Sequence, residues 1–351
     1  MPNSLKPYSS IGDEERDALL KVVESGVLSG FLAGEPEGGP KVRELEDRWR
    51  ERFGVHHAVS VNSATSGLLA ALTVMEAPPG AEVLVPCWTM SASASMIVAA
   101  GYKPVFVDVD PRTFCIDPAD MVKKITPNTW GVVVVHLFGH PADMDKIVPM
   151  CKKHNVFIIE DCAQAPLASI NGRLTGTFGD IGVFSLNYHK HIHCGEGGMC
   201  VTWSPSIAKA LKAVRNHGEV FSSYIGYNFR LPELSAAVAI VQLEKISVEV
   251  ARARKQAQIL SNAFEGILTT PYIQHYYQHS FYMWCGKCSD REFAEGHVRR
   301  LDIPCQVGYV KPLYKLLPFM KYAPEGGCPV AEKLQEQTLL IECCADEEFD
   351  L

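Results

Sequence analysis

Four short segments of the sequence, three of them directly after apolar runs, carry residues suited to chemistry. Residues 62–67 (NSATSG) combine small side chains with the start of a predicted helix, where backbone N–H groups and the helix dipole attract an anion. Helix capping by Ser63 or Thr65 is an equally good interpretation of that segment. Residues 160–164 (EDCAQ) place Asp161 where a carboxylate could hold a protonated ring nitrogen or a metal ion, or cap the next helix.

The other two segments supply an amine and a tight turn. Lys190 lies near the end of an apolar strand, where desolvation lowers the pKa of a lysine and makes its amine a nucleophile. A lysine in a surface loop is the alternative. Residues 195–198 (GEGG) indicate a tight backbone turn. An anion site, a carboxylate and an amine are together what pyridoxal phosphate needs from a protein, so the sequence points to that cofactor.

Strands and helices alternate regularly from residue 57, and this alternation positions the four segments. Strands are predicted at residues 57–61, 82–86, 104–109, 131–136 and 156–160, with helices at 65–73, 91–100, 118–124 and 142–154. Such alternation gives right-handed crossovers and a mainly parallel sheet, and the all-apolar strands require helices on both faces. Because ligands bind at the carboxyl ends of parallel strands, we expect the segments to meet at one edge of the sheet.

The C-terminal part of the chain follows a different pattern. Two further strands and a helix complete the first unit before a long helix at residues 232–264. We place a domain boundary within that helix. Residues 1–246 are then a large α/β domain with the cofactor site, and residues 247–351 are a smaller α+β domain.

The composition is that of a globular protein of about two domains, with 351 residues, 47% of them hydrophobic and 21% charged. A net charge of -7 argues against general nucleic-acid binding. The sequence has no apolar run of about 18 residues, which argues against a membrane-spanning helix. The polar N-terminus resembles neither a signal peptide nor a transit peptide, so we expect a cytoplasmic protein.

The twelve cysteines are expected to be reduced thiols, and no metal site is predicted. Cys285 and Cys288 form one CxxC pair, but a zinc site needs a second pair at a suitable spacing. His189, His191 and His193 alternate along a short loop, and side chains in that arrangement seldom converge on one ion.

These segments together resemble the DegT/DnrJ/EryC1/StrS sugar aminotransferase family of fold-type I pyridoxal-phosphate enzymes. The most specific match is Lys190 followed by GEGG at residues 195–198, together with EDCAQ at residues 160–164. Further matches are SG (29–30), NSATSG (62–67), KPVFVDVD (103–110), GDIG (179–182), FS (184–185) and GYNFRLPELSAA (226–237). The resemblance runs from Ser25 to Tyr314 and implies the three-layer α/β large domain of that fold, with a smaller α+β domain after it.

The resemblance implies a role for each matched residue. Lys190 would bond covalently to the cofactor and carry protons between substrate and cofactor, while Asp161 would pair with the pyridinium nitrogen. Gln164 would lie near the ring hydroxyl. The phosphate would be bound by the backbone N–H groups of Ala64 and Thr65, the hydroxyl of Ser185 and, from a neighbouring subunit, Asn228. The resemblance therefore implies a homodimer with shared active sites.

Two features depart from the family pattern. Family members usually cover the cofactor ring with an aromatic residue at the position of Met90. Here either Met90 packs on the ring through its thioether, or Trp88, two residues earlier, replaces the aromatic; the register favours Met90. Relatives also commonly continue into a final helix beyond the position of Cys344, and no such helix is predicted here.

Histidines beside the lysine raise one competing interpretation within the family. Some relatives are dehydratases in which a histidine replaces the lysine, and His189 and His191 flank Lys190. Counting back from Gly195 places Lys190 at the lysine position, which favours an aminotransferase. His279 and Tyr309 match positions on the substrate side, with packing as the favoured alternative for each.

The expected reaction moves an amino group from glutamate or glutamine to a keto-sugar, most often nucleotide-linked, in amino-sugar biosynthesis. A cyclitol acceptor stays open. So do a dehydratase or synthase reaction with the same cofactor, and a non-catalytic regulatory relative. A bound cofactor that does not respond to glutamate would favour another reaction, and an absence of bound cofactor would favour the regulator.

Overall fold

The computed structural model describes residues 10–32, 34–219 and 224–343. The helices are α1 (Asp13–Ser25), α2 (Pro40–Phe53), α3 (Ala64–Val74), α4 (Ser91–Ala99), α5 (Pro118–Lys124), α6 (Met144–His154), α7 (Pro205–Arg215), α8 (Glu233–Ala263), α9 (Arg291–Arg300) and α10 (Pro329–Gln337). The strands are β1 (His57–Val61), β2 (Glu82–Pro86), β3 (Lys103–Val107), β4 (Thr129–Val135), β5 (Phe157–Asp161), β6 (Ser169–Ile170), β7 (Arg173–Leu174), β8 (Ile181–Ser185), β9 (Gly198–Thr202), β10 (Tyr277–Gln278), β11 (Met283–Lys287), β12 (Gln306–Val307) and β13 (Thr338–Glu342). No helix in these ranges has the length together with the apolar character that crossing a bilayer requires.

In the described part of the chain, seven strands form one central sheet in the order β1-β9-β8-β5-β4-β2-β3. Within this sheet, the neighbouring strands β3, β2, β4, β5 and β8 are parallel, whereas β9 runs antiparallel to both β8 and β1. The predicted mainly parallel sheet is thus confirmed, and its direction reverses where the turn at residues 195–198 leads into β9. The parallel strands end at one edge, which is where the predicted chemical segments begin.

The two faces of the sheet pack against different helices, which accounts for the uniformly apolar strands. Ala58 packs into the cluster that contains α2 and α8, whereas its neighbour Val59 packs into the cluster that contains α3 and α7. Gly67 lets α3 lie close to the sheet, because a Cβ there would stand 2.8 Å from the Val183 side chain. The result is a layer of helices on each side of the strands.

Helix α8 runs without interruption from the first unit into the second. Its buried residues up to Val250 pack with α2 and the central sheet, and those from Ala253 onward pack with β11, β13 and α9. β11, β13 and β12 form a separate antiparallel sheet. This change of core lies close to the boundary expected between residues 246 and 247, and the division into two domains stays a prediction. The lack of a final helix was predicted for residues 344–351, which lie outside the described residues.

Two strands differ from their expected limits by two residues at one end. β4 begins at Thr129, because the turn closed by the Thr129 N–H and Thr126 O, 3.0 Å apart, leads directly into the strand. β3 ends at Val107, because the next backbone N–H, that of Asp108, donates to Asp120 Oδ2 at 2.8 Å instead of to a neighbouring strand. The Asp108 carboxylate in turn accepts hydrogen bonds from the backbone N–H groups of Val330 and Ala331, each at 2.9 Å. A tertiary contact of this kind has no signal in the local sequence.

Candidate active site

A cavity of about 260 Å³ opens at the carboxyl edge of the central sheet. It is bounded by the start of α3, the loop after β2, the ends of β4, β5 and β8, and the loop before β9. All but one of the predicted cofactor-binding residues line it: Ala64, Thr65, Met90, Asp161, Gln164, Ser185 and Lys190. The predicted segments therefore meet at one place, and their roles toward a cofactor stay predictions.

Asp161 is the last residue of β5, and its carboxylate is buried beside the cavity. Burial raises the pKa of Asp161 above its ordinary value. Two donors act against that rise, namely the Ala163 N–H, 3.1 Å from Oδ1, and the Ser93 hydroxyl, 2.9 Å from Oδ2. The charge of Lys190 acts in the same direction as these donors. The site thus holds a desolvated carboxylate whose charged form a cationic partner would stabilise.

Lys190 lies in the loop after β8, and only 7% of its surface is exposed. Its Nζ stands 4.2 Å from the centroid of the Tyr282 ring. Burial lowers the pKa of His189 and of His191 to about 4, so both rings are neutral at pH 7. Because Lys190 is buried and lines the same cavity as Asp161, the alternative of a lysine in a surface loop is wrong.

The first turn of α3 faces the cavity with its backbone. Ser63 is the N-cap of this helix, and its Oγ accepts a hydrogen bond from the Ser66 N–H at 3.1 Å. Ala64 and Thr65 follow and line the cavity. A Cβ on Gly198 would lie 2.7 Å from the Ala64 nitrogen, so β9 can approach this turn only through a glycine. Capping and anion binding are compatible here, because a capping side chain satisfies one of the several N–H groups at a helix start.

A model of the DegT/DnrJ/EryC1/StrS aminotransferase family matches residues 10–347. The chain belongs to this family. It is 36% identical over 340 residues to a UDP-N-acetyl-3-dehydro-alpha-D-glucosamine 3-aminotransferase of Acidithiobacillus ferrooxidans, covering 95% of this chain and 89% of that protein. It is 31% identical over 308 residues to an L-glutamine:2-deoxy-scyllo-inosose aminotransferase of Micromonospora echinospora, covering 81% and 72%. The X-ray structure of an aminotransferase from Psychrobacter cryohalolentis superposes with a TM-score of 0.89 at 28% identity, covering 98% and 95%.

Membership of the DegT/DnrJ/EryC1/StrS family confirms the fold-type I architecture and the assignment as a pyridoxal-phosphate-dependent aminotransferase. The cavity fits that cofactor on structural grounds. The carboxylate of Asp161 is desolvated, the amine of Lys190 lines the same cavity, and the first turn of α3 borders it. A cationic ring nitrogen, a carbonyl carbon and a phosphate are the groups that these three features can bind.

Met90 and Trp88 occupy different environments. Met90 lines the cavity and is 54% exposed, whereas Trp88 is fully buried and donates its Nε1–H to Val310 O at 2.9 Å. The Trp88 ring also packs edge-on against Phe138 and Tyr309. Trp88 is thus a core residue. Of the two, Met90 is the residue placed where it could cover a cofactor.

Gln164 connects the cavity to the C-terminal part of the chain. Its Oε1 accepts a hydrogen bond from the Phe138 N–H at 2.7 Å, and its Nε2 donates to the Tyr309 hydroxyl at 3.3 Å. Burial raises the pKa of Tyr309 to about 12, so this hydroxyl stays protonated at pH 7. His279 is buried and stacks on Phe281 with ring centroids 3.9 Å apart. Packing accounts for His279, whereas the Tyr309 hydroxyl contacts a residue of the cavity, and a substrate-side role for either stays a prediction.

Asn228 is the predicted site residue that the structure does not place at the cavity. Its backbone oxygen accepts a hydrogen bond from Asn62 Nδ2 at 3.1 Å, and its Oδ1 accepts one from Arg230 Nε at 2.9 Å. A residue that binds the phosphate of a neighbouring subunit has to lie outside the cavity of its own subunit. The position of Asn228 is compatible with that role, which stays a prediction together with the homodimer.

Two residues that contact the predicted catalytic pair were missed in the sequence. Ser93, on α4, donates to Asp161, and Tyr282, just before β11, contacts Lys190. Ser93 belongs to a run of small residues (SASAS, 91–95), where its only signal is a hydroxyl on a buried helix position. Tyr282 follows His279 by three residues, so it lies in a segment that matches the family on the substrate side.

Proposed function

We propose that this enzyme transfers an amino group from glutamate or glutamine to a cyclic keto-sugar, and the first candidate is a sugar linked to a nucleotide. The observation that carries the proposal is the placement of the Lys190 amine and the Asp161 carboxylate in one buried cavity at the start of α3. In the overall reaction, the amine of the donor and the carbonyl oxygen of the sugar exchange places. Glutamate becomes 2-oxoglutarate, and the ketone becomes an amine.

Each of these cavity residues has a separate role in the reaction. When bound, pyridoxal phosphate stores the amino group between the two substrates and accepts the electron pair of the substrate carbon. Lys190 Nζ takes the proton from the carbon that bears the donor's amino group and delivers a proton to the sugar carbon that is aminated. Asp161 keeps the proton on the ring nitrogen of the cofactor. Further residues hold the cofactor in place: Ala64, Thr65 and Ser185 at the phosphate, Gln164 near the ring hydroxyl and Met90 on the ring.

Two relatives support the class of acceptor. One is named for a UDP-linked 3-dehydro sugar and the other for an inosose, which is a keto-cyclitol. Both acceptors are cyclic ketones with hydroxyl groups around the ring. We therefore propose an acceptor of that class, with an amino sugar as the product in the biosynthesis of a polysaccharide or a related glycoconjugate, and the cyclitol as the second candidate.

The visible absorbance of the purified protein tests the proposal. Bound cofactor should absorb near the violet end of the visible range, and L-glutamate or L-glutamine should remove that band. Lys190→Ala should retain some cofactor but lose this response together with at least about 1,000-fold in kcat. A coloured protein that responds to neither donor would overturn the aminotransferase reaction, and a protein that never takes up the cofactor would overturn the enzymatic role.

The acceptor is then identified by adding keto compounds to protein whose visible absorbance band the amino donor has removed. Recovery of the band reports transfer of the amino group to the acceptor. A UDP-linked 3-keto sugar, a nucleotide-linked 4-keto sugar and 2-deoxy-scyllo-inosose form a suitable panel, because they differ in the nucleotide and in the ketone position. Recovery with pyruvate alone would contradict a sugar acceptor.

A further inference from the structure

The amine of Lys190 lies over the face of the Tyr282 ring, 4.2 Å from its centroid. Both residues are buried, with 7% of Lys190 and 4% of Tyr282 exposed. The negative face of an aromatic ring attracts a cation, and the attraction grows when water is excluded from the contact. The contact therefore favours the charged ammonium form of Lys190 over the neutral amine.

The backbone around Tyr282 fixes the ring in this place. The preceding residue, Phe281, has φ of 54°, a left-handed conformation that a bulky residue adopts only when its surroundings impose it. Its N–H donates to His279 Nδ1 at 2.8 Å, and the Ser280 N–H donates to Gly139 O at 3.0 Å. Arg254 Nε donates to the His279 carbonyl at 2.8 Å. These bonds tie the segment before β11 to the loop that follows β4 and to α8.

Other titratable groups line the same cavity or lie beside the Tyr282 ring. Asp161 at the end of β5 and Glu196 in the loop before β9 are carboxylates that line the same cavity. His189 and His191, on the loop of Lys190 itself, lie beside the Tyr282 ring and are neutral at pH 7. Tyr282 is thus an uncharged partner of the ammonium in a cavity that two carboxylates also line.

We propose that Tyr282 is a positioning residue that holds Lys190 in the cavity once its released amine has taken up a proton and become an ammonium. The proposal rests on the proposed role of Lys190. In transamination the lysine must leave the cofactor while substrate is bound and must remain close enough to move protons. The ring face of Tyr282 gives the protonated amine a defined place and adds no further negative charge to the cavity that Asp161 and Glu196 line.

Amine labelling of the full-length protein, stripped of cofactor, tests the contact directly. Lys190 acetylation by acetic anhydride is followed by peptide mass spectrometry between pH 6 and pH 11, with Lys103, whose side chain is 55% exposed, as the internal reference. Tyr282→Leu should move the pH midpoint of Lys190 labelling down by about one unit, so that labelling below the midpoint is about tenfold faster. Tyr282→Phe, which keeps the ring and loses the hydroxyl, should label like the unchanged protein.

The shape of the pH profile separates the contact from a loss of packing. A more open cavity would raise the labelling rate by the same factor at every pH, including the plateau, and would overturn the proposal. An unchanged midpoint in Tyr282→Leu, or an equal shift in Tyr282→Phe, would overturn it as well. The assignment of Lys190 as the cofactor lysine is tested separately by Lys190→Ala, so the two ideas can fail independently. Circular dichroism and the thermal midpoint establish that each variant is folded.

Discussion

The hydroxyl of Ser93 donates a hydrogen bond of 2.9 Å to Asp161 Oδ2, and both residues are buried. The bond joins α4 to the end of β5 and fixes the plane of the carboxylate together with the Ala163 N–H on Oδ1. Because burial raises the pKa of Asp161, these donors help to keep the carboxylate charged. In the proposed mechanism, the proton on the ring nitrogen of the cofactor depends on that charge.

Ser93→Ala should weaken cofactor binding. Loss of a donor to a buried carboxylate raises its pKa further and removes a charge-assisted hydrogen bond, which corresponds to about a tenfold loss in affinity. Equilibrium titration of the stripped protein with pyridoxal phosphate, followed by absorbance, measures the change. Ser93→Thr keeps the hydroxyl and should bind as before. Equal affinity of the alanine and threonine variants would show that the bond is not important for Asp161.

Asp161→Asn should have opposite effects on stability and on activity. The folded-state pKa of Asp161 is raised from 3.8, so its contribution to stability is fully present below pH 3.8 and is lost as pH rises through the folded pKa. At pH 8 the stripped asparagine variant lacks this buried charge, and its unfolding midpoint should rise by about 2 °C. With the cofactor present, kcat should fall about 100-fold, because the ring nitrogen loses its charged partner.

Calorimetry of stripped and loaded protein, from pH 8 down to the lowest pH at which the protein stays folded, checks the sign. The stabilising effect of the asparagine should shrink as the pH falls through the folded pKa of Asp161, and the cofactor should stabilise the variant less than the unchanged protein. A lower midpoint for the stripped variant at pH 8 would contradict the argument from burial.

Gly198→Ala should weaken cofactor binding, because it displaces the backbone at the predicted phosphate site. The added Cβ would lie 2.7 Å from the Ala64 nitrogen and 2.7 Å from the Ser63 carbonyl carbon, and neither atom can rotate away. The start of α3 must therefore shift, at a cost of about 2 kcal/mol in the free energy of unfolding. Chemical denaturation measures this loss, and cofactor titration should show weaker binding.

The matched control for this change is Gly296→Ala. Gly296 lies in α9, and a Cβ there would meet nothing within 4 Å. Alanine should stabilise the helix by up to about 1 kcal/mol and leave cofactor binding unchanged. If both glycine variants bound the cofactor equally well, the approach of β9 to α3 would have no part in the site.

The sequence predicted the alternating elements and the place of the cavity because both depend on local signals. Apolar runs mark the strands, and the chemical segments follow them directly in the chain. The C-terminal sheet was less predictable, because β11 pairs with β13 across a separation of 51 to 59 residues that no local pattern encodes. The same holds for Trp88, whose burial depends on Phe138 and Tyr309 from distant parts of the chain.

Ser93 and Tyr282 illustrate the limit in a different way. Their residue types are ordinary for a buried helix and a strand start, and only the packing of α4 on β5 and of residues 279–282 on the Lys190 loop gives them partners. A motif search finds residues that bind a cofactor, whereas the groups that orient those residues come from the tertiary structure.

Mixing two inactive variants tests whether the active sites are shared between subunits. Asn228 lies outside the cavity of its own chain, and Lys190 lies inside it. Lys190→Ala and Asn228→Ala should each have little activity alone. In a two-fold dimer that carries one chain of each kind, one site has both defects and the other has none, so random mixing should restore about a quarter of the normal activity. Co-expression supplies the random mixture, and purification through two affinity tags gives the hybrid dimers alone, which should have about half of the normal activity.

Lys190→Ala mixed with Asp161→Asn is the control, because both residues line the cavity of the same chain. Every site in that hybrid keeps one defect, and no activity should return. Activity equal to the average of the two parents in the Asn228 mixture would contradict a shared site, even if the protein is a dimer. Recovery in the Asn228 mixture alone would assign Asn228 to the active site of the neighbouring subunit, since an intact site arises from two defective chains only when the two residues come from different subunits.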